Sequence, residues 1–245
     1  MILEIDCGNT RIKWRIRTGK VIQEAGVFLT AEGFDAIDSN TFALGVIKRV
    51  LVSSVLGDDF RRKVITWAMN RLSLNPEFAY SEPQCNCVSN GYQEPEKLGV
   101  DRWLAVLAAR SRTHNAYIVV DCGSAITVDV VTSSGEHLGG YIAAGLGLTR
   151  DSLGKKTVAI KLGLIGYPES SFPGRNTVSA IKAAELAMIT GLIDQSCDIV
   201  KNYQKNQPDI FITGGDGEWL KGFYKDAIFN EDLVLDGLAI ALDAE

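Results

Sequence analysis

One short sequence pattern occurs twice in this chain, and it constrains the fold more than any other feature. Residues 3–16 read LEIDCGNTRIKWRI, and residues 118–131 read IVVDCGSAITVDVV. In each copy an apolar run leads to Asp-Cys-Gly and a short polar residue, and a second alternating or apolar stretch follows. This arrangement is typical of two antiparallel strands joined by a tight turn. The repeat therefore predicts two related β-hairpins, one in each half of the chain.

The sequence around the hairpins predicts the same order of elements in both halves, with strands first and helices after them. The first half is expected to contain strands near 21–29 and 49–55, a helix over 58–72, an irregular loop over 75–97 and a helix after Gly99; residues 34–48 show no clear pattern. The second half is expected to contain a third strand after Ser134-Gly135, helices near 146–156 and from Val178 to about 204, a strand over 208–213, and helices near 216–226 and 233–243. This repetition predicts an α/β fold of two similar domains, residues 1–116 and 117–245, with a cleft between them.

Composition excludes several classes of protein. The 245 residues allow two domains that each bury a core. The net charge of −5 argues against a duplex-DNA-binding protein, and no run of about 18 apolar residues predicts a membrane-spanning helix. Glu4 and Asp6 interrupt the first apolar run, which argues against a secretory signal. We therefore expect a cytoplasmic protein that binds neither nucleic acid nor a membrane.

Cysteine and histidine usage argues against a structural metal site. The five cysteines are an odd number, and the pair Cys85 and Cys87 has no second pair at zinc-finger spacing. Neither His114 nor His137 stands in a ligand motif. The cysteines are therefore expected to be reduced and to pack as small apolar side chains.

The Asp-x-Gly turn has a chemistry suited to phosphate. An aspartate at the end of an apolar strand is costly to bury unless a positive group meets it, and the glycine lets a ligand touch the backbone. Such a turn can hold phosphate oxygens while its carboxylate holds a bridging cation. Short polar side chains add donors beside each turn, namely Asn9, Thr10 and Ser124. The two turns therefore suit a polyphosphate gripped from two sides, although a single Asp-x-Gly is also a common structural turn.

Two further stretches bear on this hypothesis. In residues 11–17, RIKWRIR, four basic side chains alternate with apolar ones and form one face of a strand. We expect that basic face to be solvated, with Lys13, the basic residue nearest the turn, as the one with a functional role. In FITGGDG, Gly214 and Gly215 follow a buried strand, and their bare backbone would let a purine or ribose lie close.

Six motifs in this order resemble the type III pantothenate kinases. They are DCGNT (6–10), NGY (90–92), GVDRWLA (99–105), DCGSAITVD (121–129), HLGGYI (137–142) and TGGDG (213–217). The resemblance implies a duplicated ribonuclease-H-like fold of the actin-like superfamily and a homodimer. It also implies transfer of the γ-phosphoryl group of ATP to pantothenate, giving 4′-phosphopantothenate in the first step of coenzyme A biosynthesis. ATP would be used with Mg²⁺, together with a monovalent cation, K⁺ or NH₄⁺.

The resemblance also assigns residues to roles. Asp101 would be the catalytic base, and Asp121 would hold the monovalent cation. ATP would be bound by Asp6, Cys7, Gly8, Asn9, Thr10, Arg11, Ile12, Lys13 and Ser124, to which the glycine argument above adds Gly214 and Gly215. Pantothenate would be bound by Tyr92, Gly99, Val100, Asp101, Arg102 and Thr177. Ser124 and Ala144 stand where the family more often has Thr and Pro, and neither change removes a functional group.

Alternatives remain at each of these positions. Asp101 and Thr177 each lie near a predicted helix start and would also serve as N-caps. Arg102 would also serve as a surface cation, and Tyr92 as a loop aromatic with its hydroxyl in water. For the whole chain, the alternatives are a related kinase with another acceptor and a nucleotide-binding regulator without catalysis. No residue suits a covalent phosphoenzyme better than it suits direct transfer, so in-line transfer is expected.

Overall fold

Two units, each with its own sheet, make up the chain. The computed structural model describes residues 1–34, 46–156 and 165–243. The first unit consists of Met1–Arg112 together with Asp232–Glu245, and the second unit is Thr113–Glu231. Most of the stretch 34–48, which has no clear sequence pattern, lies outside the described residues.

The first unit is built on a mixed five-stranded sheet. Its strands are β1 (Ile2–Cys7), β2 (Arg11–Thr18), β3 (Val21–Leu29), β4 (Arg49–Ser54) and β5 (Glu77–Phe78), in the order β3-β2-β1-β4-β5. β1 pairs antiparallel with β2 and parallel with β4. Apolar side chains that alternate along β1 and β2 bury one face of the sheet, and they include Leu3, Ile5, Ile12 and Trp14. The first predicted hairpin is therefore confirmed.

In its described residues this unit has three helices, and the loop before the second contains short strands. The helices are α1 (Asp58–Leu72), α2 (Val100–Arg110) and α6 (Leu233–Ala241). The stretch predicted to be an irregular loop also contains β6 (Gln84–Cys85), β7 (Val88–Ser89) and a 3₁₀ turn at Pro95–Lys97. Cys87 is exposed in the turn between β6 and β7, so the expectation of a buried apolar thiol is wrong there.

The second unit repeats the plan of the first. Its strands are β8 (Tyr117–Cys122), β9 (Ala125–Val131), β10 (His137–Ala144), β11 (Asp209–Thr213) and β12 (Ile228–Phe229), in the order β10-β9-β8-β11-β12. Its helices are α3 (Leu146–Lys156), α4 (Thr177–Gln204) and α5 (Gly217–Lys221), the last shorter than predicted. In both sheets three antiparallel strands precede a strand that returns parallel to the first. The predicted duplicated α/β fold is confirmed, and the predicted cleft stays a prediction.

The basic face of β2 is not solvated as predicted. Arg15 and Arg17 are only 5% and 6% exposed. Both guanidinium groups bind the carboxylate of Glu4, which is fully buried on the neighbouring strand, and Arg15 Nη1 lies 2.7 Å from Asp236 Oδ1 on α6. A buried charge needs such partners, because desolvation without them is costly. At Arg15 and Arg17, the basic face of β2 therefore forms a buried ion-pair network.

The C-terminal helix α6 belongs to the first unit, so the two units do not coincide with the predicted domains 1–116 and 117–245. α6 packs against α2 of the first unit. Gly237 lies at this contact, because a Cβ atom on it would lie 1.9 Å from the carbonyl oxygen of Leu104. Only a residue without a side chain fits this approach of two helices. None of the described helices is both long enough and apolar enough to cross a membrane.

Gly237→Ala is expected to destabilise the first unit. The added methyl group overlaps the backbone of α2, so α6 must move, at a cost of about 1–3 kcal/mol in the free energy of unfolding. Urea unfolding followed by circular dichroism measures the loss. Gly191→Ala on α4 is the control, because a Cβ there meets no atom within 4 Å. That control should gain stability, by up to about 1 kcal/mol. Equal unfolding midpoints for Gly237→Ala and the unchanged chain would contradict the close packing.

Candidate functional site

The first Asp-x-Gly turn joins β1 to β2 and is held from outside by Thr30. The Gly8 N–H donates to the carbonyl of Arg11 at 3.1 Å, which closes the turn. Thr30 donates its hydroxyl to the carbonyl of Gly8 at 2.8 Å and its N–H to the carbonyl of Thr10 at 3.0 Å. The side chains of Asn9 and Thr10 are exposed. No sequence motif indicated the role of Thr30, which follows the end of β3.

Asp6 lies at the end of β1 between two polar neighbours. In the sheet it is paired with Lys13 on β2 and with Ser53 on β4. Burial raises the pKa of Asp6 to about 6, and the charge of Asp101 also raises it, while the Ser53 hydroxyl and Lys13 act in the opposite direction. Asp6, Lys13 and Asp101 are therefore electrostatic neighbours within one unit, as the proposed site requires.

Three of the predicted ATP-binding residues have side chains that are either fully buried in the core or exposed. Cys7 and Ile12 are fully buried in the core cluster of this unit, and Arg11 is exposed. Burial and the neighbouring Asp6 raise the pKa of the Cys7 thiol well above its ordinary value, so this thiol stays protonated and inert. Cys7 and Ile12 therefore have only backbone groups to offer a nucleotide.

Asp101 lies in the first turn of α2, two residues after the N-cap. The N-cap is Gly99, so the alternative in which Asp101 itself caps the helix is wrong. The carboxylate accepts the N–H of Arg102 at 2.8 Å through Oδ1. A Cβ atom on Gly99 would lie 2.7 Å from the same Oδ1. The glycine thus leaves room for this carboxylate beside the helix start, where the positive end of the helix dipole favours its ionised form.

Arg102 and Tyr92 form a pair next to Asp101. Arg102 Nη1 donates to the Tyr92 hydroxyl at 2.6 Å, and the guanidinium carbon lies 5.6 Å from the centre of the tyrosine ring. Arg102 is 6% exposed, so the alternative of a surface cation is wrong. Asn90 fixes the loop that carries Tyr92, because its Oδ1 accepts the Tyr92 N–H at 3.0 Å and its Nδ2 donates to the carbonyl of Pro95 at 3.1 Å. Asn90 belongs to the NGY motif, but the motif alone indicated no role for it.

The second Asp-x-Gly turn joins β8 to β9 and packs against the glycine pair after β11. Gly214 has φ +88, and a Cβ on it would lie 2.4 Å from Asp121 Oδ1 and 2.6 Å from the nitrogen of Cys122. The carbonyl of Ser124 accepts the N–H of Gly145 at 3.0 Å. The structure therefore brings together two stretches of the second unit that were predicted separately: the turn with Asp121 and Ser124, and Gly214.

Asp216, a residue of the TGGDG motif for which no role was predicted, adjoins the same turn. Its N–H donates to the carbonyl of Cys122 at 3.0 Å. Burial raises the pKa of the Cys122 thiol, and the charges of Asp121 and Asp216 add to that effect. The turn of the second unit therefore has two carboxylates near one buried thiol.

Thr177 begins α4 but does not cap it. Asn176 is the N-cap, and its Oδ1 accepts the N–H of Ser179 at 2.9 Å. Thr177 lies on the edge of a groove of about 670 Å³ within the second unit. The groove is lined mainly by apolar side chains of β10, α3 and α4, among them Ala143, Leu146, Leu153, Ile181, Met188 and Leu192.

The carboxylates of the two turns fit the cations that the resemblance implies. Mg²⁺ is usually held by one or two carboxylates and completes its shell with water and phosphate oxygens. Asp6 and Asp121 each supply such a carboxylate beside a glycine turn. Across the described parts of the chain, no cluster of three or more His, Cys, Asp and Glu side chains could hold a metal ion. A cation at either turn would therefore need phosphate or water oxygens as further ligands.

Comparison with known proteins decides the family. A family model described as type III pantothenate kinase matches residues 2–198. The type III pantothenate kinase of Cellvibrio japonicus (strain Ueda107) is 38% identical, over 99% of this chain and 97% of the relative. That of Pseudomonas aeruginosa (strain LESB58) is 32% identical over the full length of both chains. The chain belongs to the type III pantothenate kinase family.

The kinase is therefore a phosphotransferase that acts on pantothenate in coenzyme A biosynthesis, and the predicted family and activity are confirmed. Solved structures agree on the fold. A Campylobacter jejuni protein described as a Baf family transcriptional activator matches with a TM-score of 0.67 at 20% identity, covering 98% of this chain and 97% of that one. A Sinorhizobium meliloti protein described as a 2-dehydro-3-deoxygalactonokinase matches with a TM-score of 0.55 at 11% identity, covering 100% and 99%. These likenesses show the fold alone.

Proposed function

We propose that the kinase transfers the γ-phosphoryl group of ATP directly to the hydroxyl of pantothenate, with Asp101 as the general base. The observation that carries this assignment is the position of the Asp101 carboxylate. It lies at the start of α2, beside the Arg102–Tyr92 pair and within electrostatic reach of Asp6. An ionised carboxylate that accepts the proton of the attacking hydroxyl is the group that phosphoryl transfer through a loose transition state requires.

The nucleotide is proposed to use both glycine turns. The turn from Asp6 to Lys13 holds phosphate oxygens through backbone N–H groups and the Lys13 ammonium, and Ser124 adds a hydroxyl from the second turn. Mg²⁺, when bound, neutralises charge on the phosphates. Asp6 is the carboxylate suited to it, and Asp121 is the one suited to K⁺ or NH₄⁺. Gly214 and Gly215 leave backbone exposed to the nucleoside.

Arg102 is proposed to bind the carboxylate of pantothenate. Its guanidinium is nearly buried, and one nitrogen is already fixed by the Tyr92 hydroxyl. A guanidinium held in this way has a fixed plane, and a fixed guanidinium plane matches the geometry of a carboxylate. Gly99 and Val100 lie beside it at the helix start, and Thr177 is proposed as a further contact to the same substrate.

The homodimer implied by the resemblance is proposed to form through the apolar groove of the second unit. Leu148 and Met188, which line this groove, are each 52% exposed. Contiguous exposed apolar surface of this kind is typical of an interface. A cytoplasmic location, expected from the composition, stays a prediction.

Purified kinase with ATP, Mg²⁺ and K⁺ is expected to form 4′-phosphopantothenate. Replacing K⁺ with a large organic cation should lower the rate at least about tenfold, the loss that follows removal of one charge-assisted contact. Product is measured by mass spectrometry, and ADP release reports turnover on other hydroxyl acceptors. Asp121→Asn should remove the dependence on K⁺.

Two outcomes would contradict this function. Faster ADP release with another acceptor than with pantothenate would assign the chain to a related kinase activity. ATP binding without product from any acceptor would favour the regulator without catalysis.

A further inference from the structure

The segment 165–168, which lies between α3 and α4, is held by hydrogen bonds at both of its ends. Arg150 on α3 binds the carboxylate of Glu185 with Nε and Nη2, each at 2.7 Å, and its Nη1 donates to the carbonyl of Ile165 at 3.0 Å. Trp219 on α5 donates its indole N–H to the carbonyl of Pro168 at 2.9 Å. Gly166 and Tyr167 lie between these two anchored carbonyls.

The ring of Tyr167 is fixed as well. It stacks on the ring of Trp219, with the ring centres 5.2 Å apart and the planes 12° from parallel. The hydroxyl at the end of this ring donates to Asp216 Oδ1 at 2.8 Å. Backbone anchors and an aromatic stack therefore fix the direction in which one oxygen of the Asp216 carboxylate points.

Asp216 does not perform the usual task of an aspartate at its position. It is the N-cap residue of α5, yet its side chain makes no capping hydrogen bond. Arg150 is near enough for Asp216 to raise its pKa, but its hydrogen bonds go to Glu185 and to backbone carbonyls. Among the described residues, none donates a hydrogen bond to Asp216 Oδ2, so this oxygen is available to a ligand.

The place of Asp216 indicates what kind of ligand. It follows Gly214 and Gly215, the pair proposed to meet the nucleoside, and it is tied to the Asp121 turn through the carbonyl of Cys122. A carboxylate only accepts hydrogen bonds and repels phosphate oxygens. The donors on a nucleoside are the ribose hydroxyls and an exocyclic amine on the base. In dinucleotide-binding folds, an acidic residue about 20 positions after the glycine-rich turn accepts a hydrogen bond from a ribose hydroxyl.

We infer that Asp216, positioned by Tyr167, accepts a hydrogen bond from a ribose hydroxyl of the nucleotide and makes the kinase prefer ribonucleotides to deoxyribonucleotides. This inference rests on the proposed nucleotide site. Asp216 is the specificity-determining residue, since it touches the ribose, and Tyr167 is a positioning residue that acts through it.

Isothermal titration calorimetry of the full chain with Mg²⁺ and ADP, 2′-deoxy-ADP or 3′-deoxy-ADP tests the inference. The unchanged chain should bind ADP about tenfold or more tightly than at least one deoxy analogue, as expected for one hydrogen bond to a charged group. Asp216→Asn should reduce that preference to near unity, and Tyr167→Phe should reduce it in part, because the carboxylate remains but is free to turn. Asp198→Asn and Tyr203→Phe, two exposed positions on α4, are matched controls that should keep the full preference.

Four results would overturn the inference. A full ribose preference in Asp216→Asn would show that the carboxylate does not contact the ribose. If Tyr167→Phe lowered the melting temperature but left the ribose preference unchanged, the Tyr167–Asp216 hydrogen bond would have a purely structural role. If Asp216→Asn kept the ribose preference but lost a preference for ADP over inosine diphosphate, Asp216 would contact the base and not the ribose. Absence of ADP binding by the unchanged chain would also overturn it. Because no acceptor is present in this titration, ribose preference in a chain that fails to phosphorylate pantothenate would refute the proposed function and support the inference.

Discussion

Asp101→Asn is expected to lower kcat for pantothenate phosphorylation by about 10³-fold, the middle of the range for removal of a general base. An amide has the shape of the carboxylate but does not take up the proton of the attacking hydroxyl. Its oxygen can still accept the Arg102 N–H, so the start of α2 should keep its structure. Single-turnover measurements with saturating ATP give the rate of the chemical step, and calorimetric titration with ADP shows that the nucleotide still binds.

The control for this variant is another acidic residue in a first helical turn. Asp58 begins α1 and is exposed, so Asp58→Asn changes a helix-terminal charge without touching the candidate site. It should leave kcat within about twofold of the unchanged chain, because a surface charge contributes little. An Asp101→Asn variant with more than about a tenth of normal turnover would remove Asp101 from the role of base, since a general base contributes at least a hundredfold.

The sequence predicted well those parts of the fold that depend on residues close together in the chain. The alternation of apolar and polar side chains around Asp6 and Asp121 is local, and it predicted both hairpins and their turns. Adjacent residues likewise predicted the helix after Gly99. The burial of Arg15 was not predictable in this way, because its partners are Glu4 on another strand and Asp236 near the other end of the chain.

The same limit applies to the candidate site. Asp6 and Asp101 were recognised from motifs, but Ser53 adjoins Asp6 only because β4 returns parallel to β1. Thr30 supports the first turn only because β3 ends beside it. Asp216 and Tyr167 are separated by 49 positions and meet through the packing of α5 against the preceding loop. Motifs therefore identified the residues that carry charge, and only the fold identified those that orient them.

Asp6→Asn is expected to make the kinase more stable and, at the same time, to weaken its binding of MgATP. The pKa of Asp6 rises from 3.8 to about 6, chiefly because burial disfavours the ionised form. At neutral pH the folded chain holds a carboxylate that the unfolded chain ionises more easily. Asparagine removes that cost, and with it the charge proposed to face Mg²⁺. We expect a gain of up to about 3 kcal/mol in the free energy of unfolding at pH 7 and an affinity for MgATP at least about tenfold lower.

The pH dependence separates this explanation from a general effect of the substitution. An acid whose folded-state pKa is raised gives the fold its full stability below about pH 3.8, and that stability is lost as pH rises to about 6. The difference in unfolding free energy between Asp6→Asn and the unchanged chain should therefore grow between pH 4 and pH 6 and stay constant above it. Asp198→Asn, an exposed position, should show no such growth. A stability difference independent of pH would mean that the Asp6 carboxyl is not held at a cost. The first turn would then lack the electrostatic penalty that burial of the ionised Asp6 carboxylate imposes.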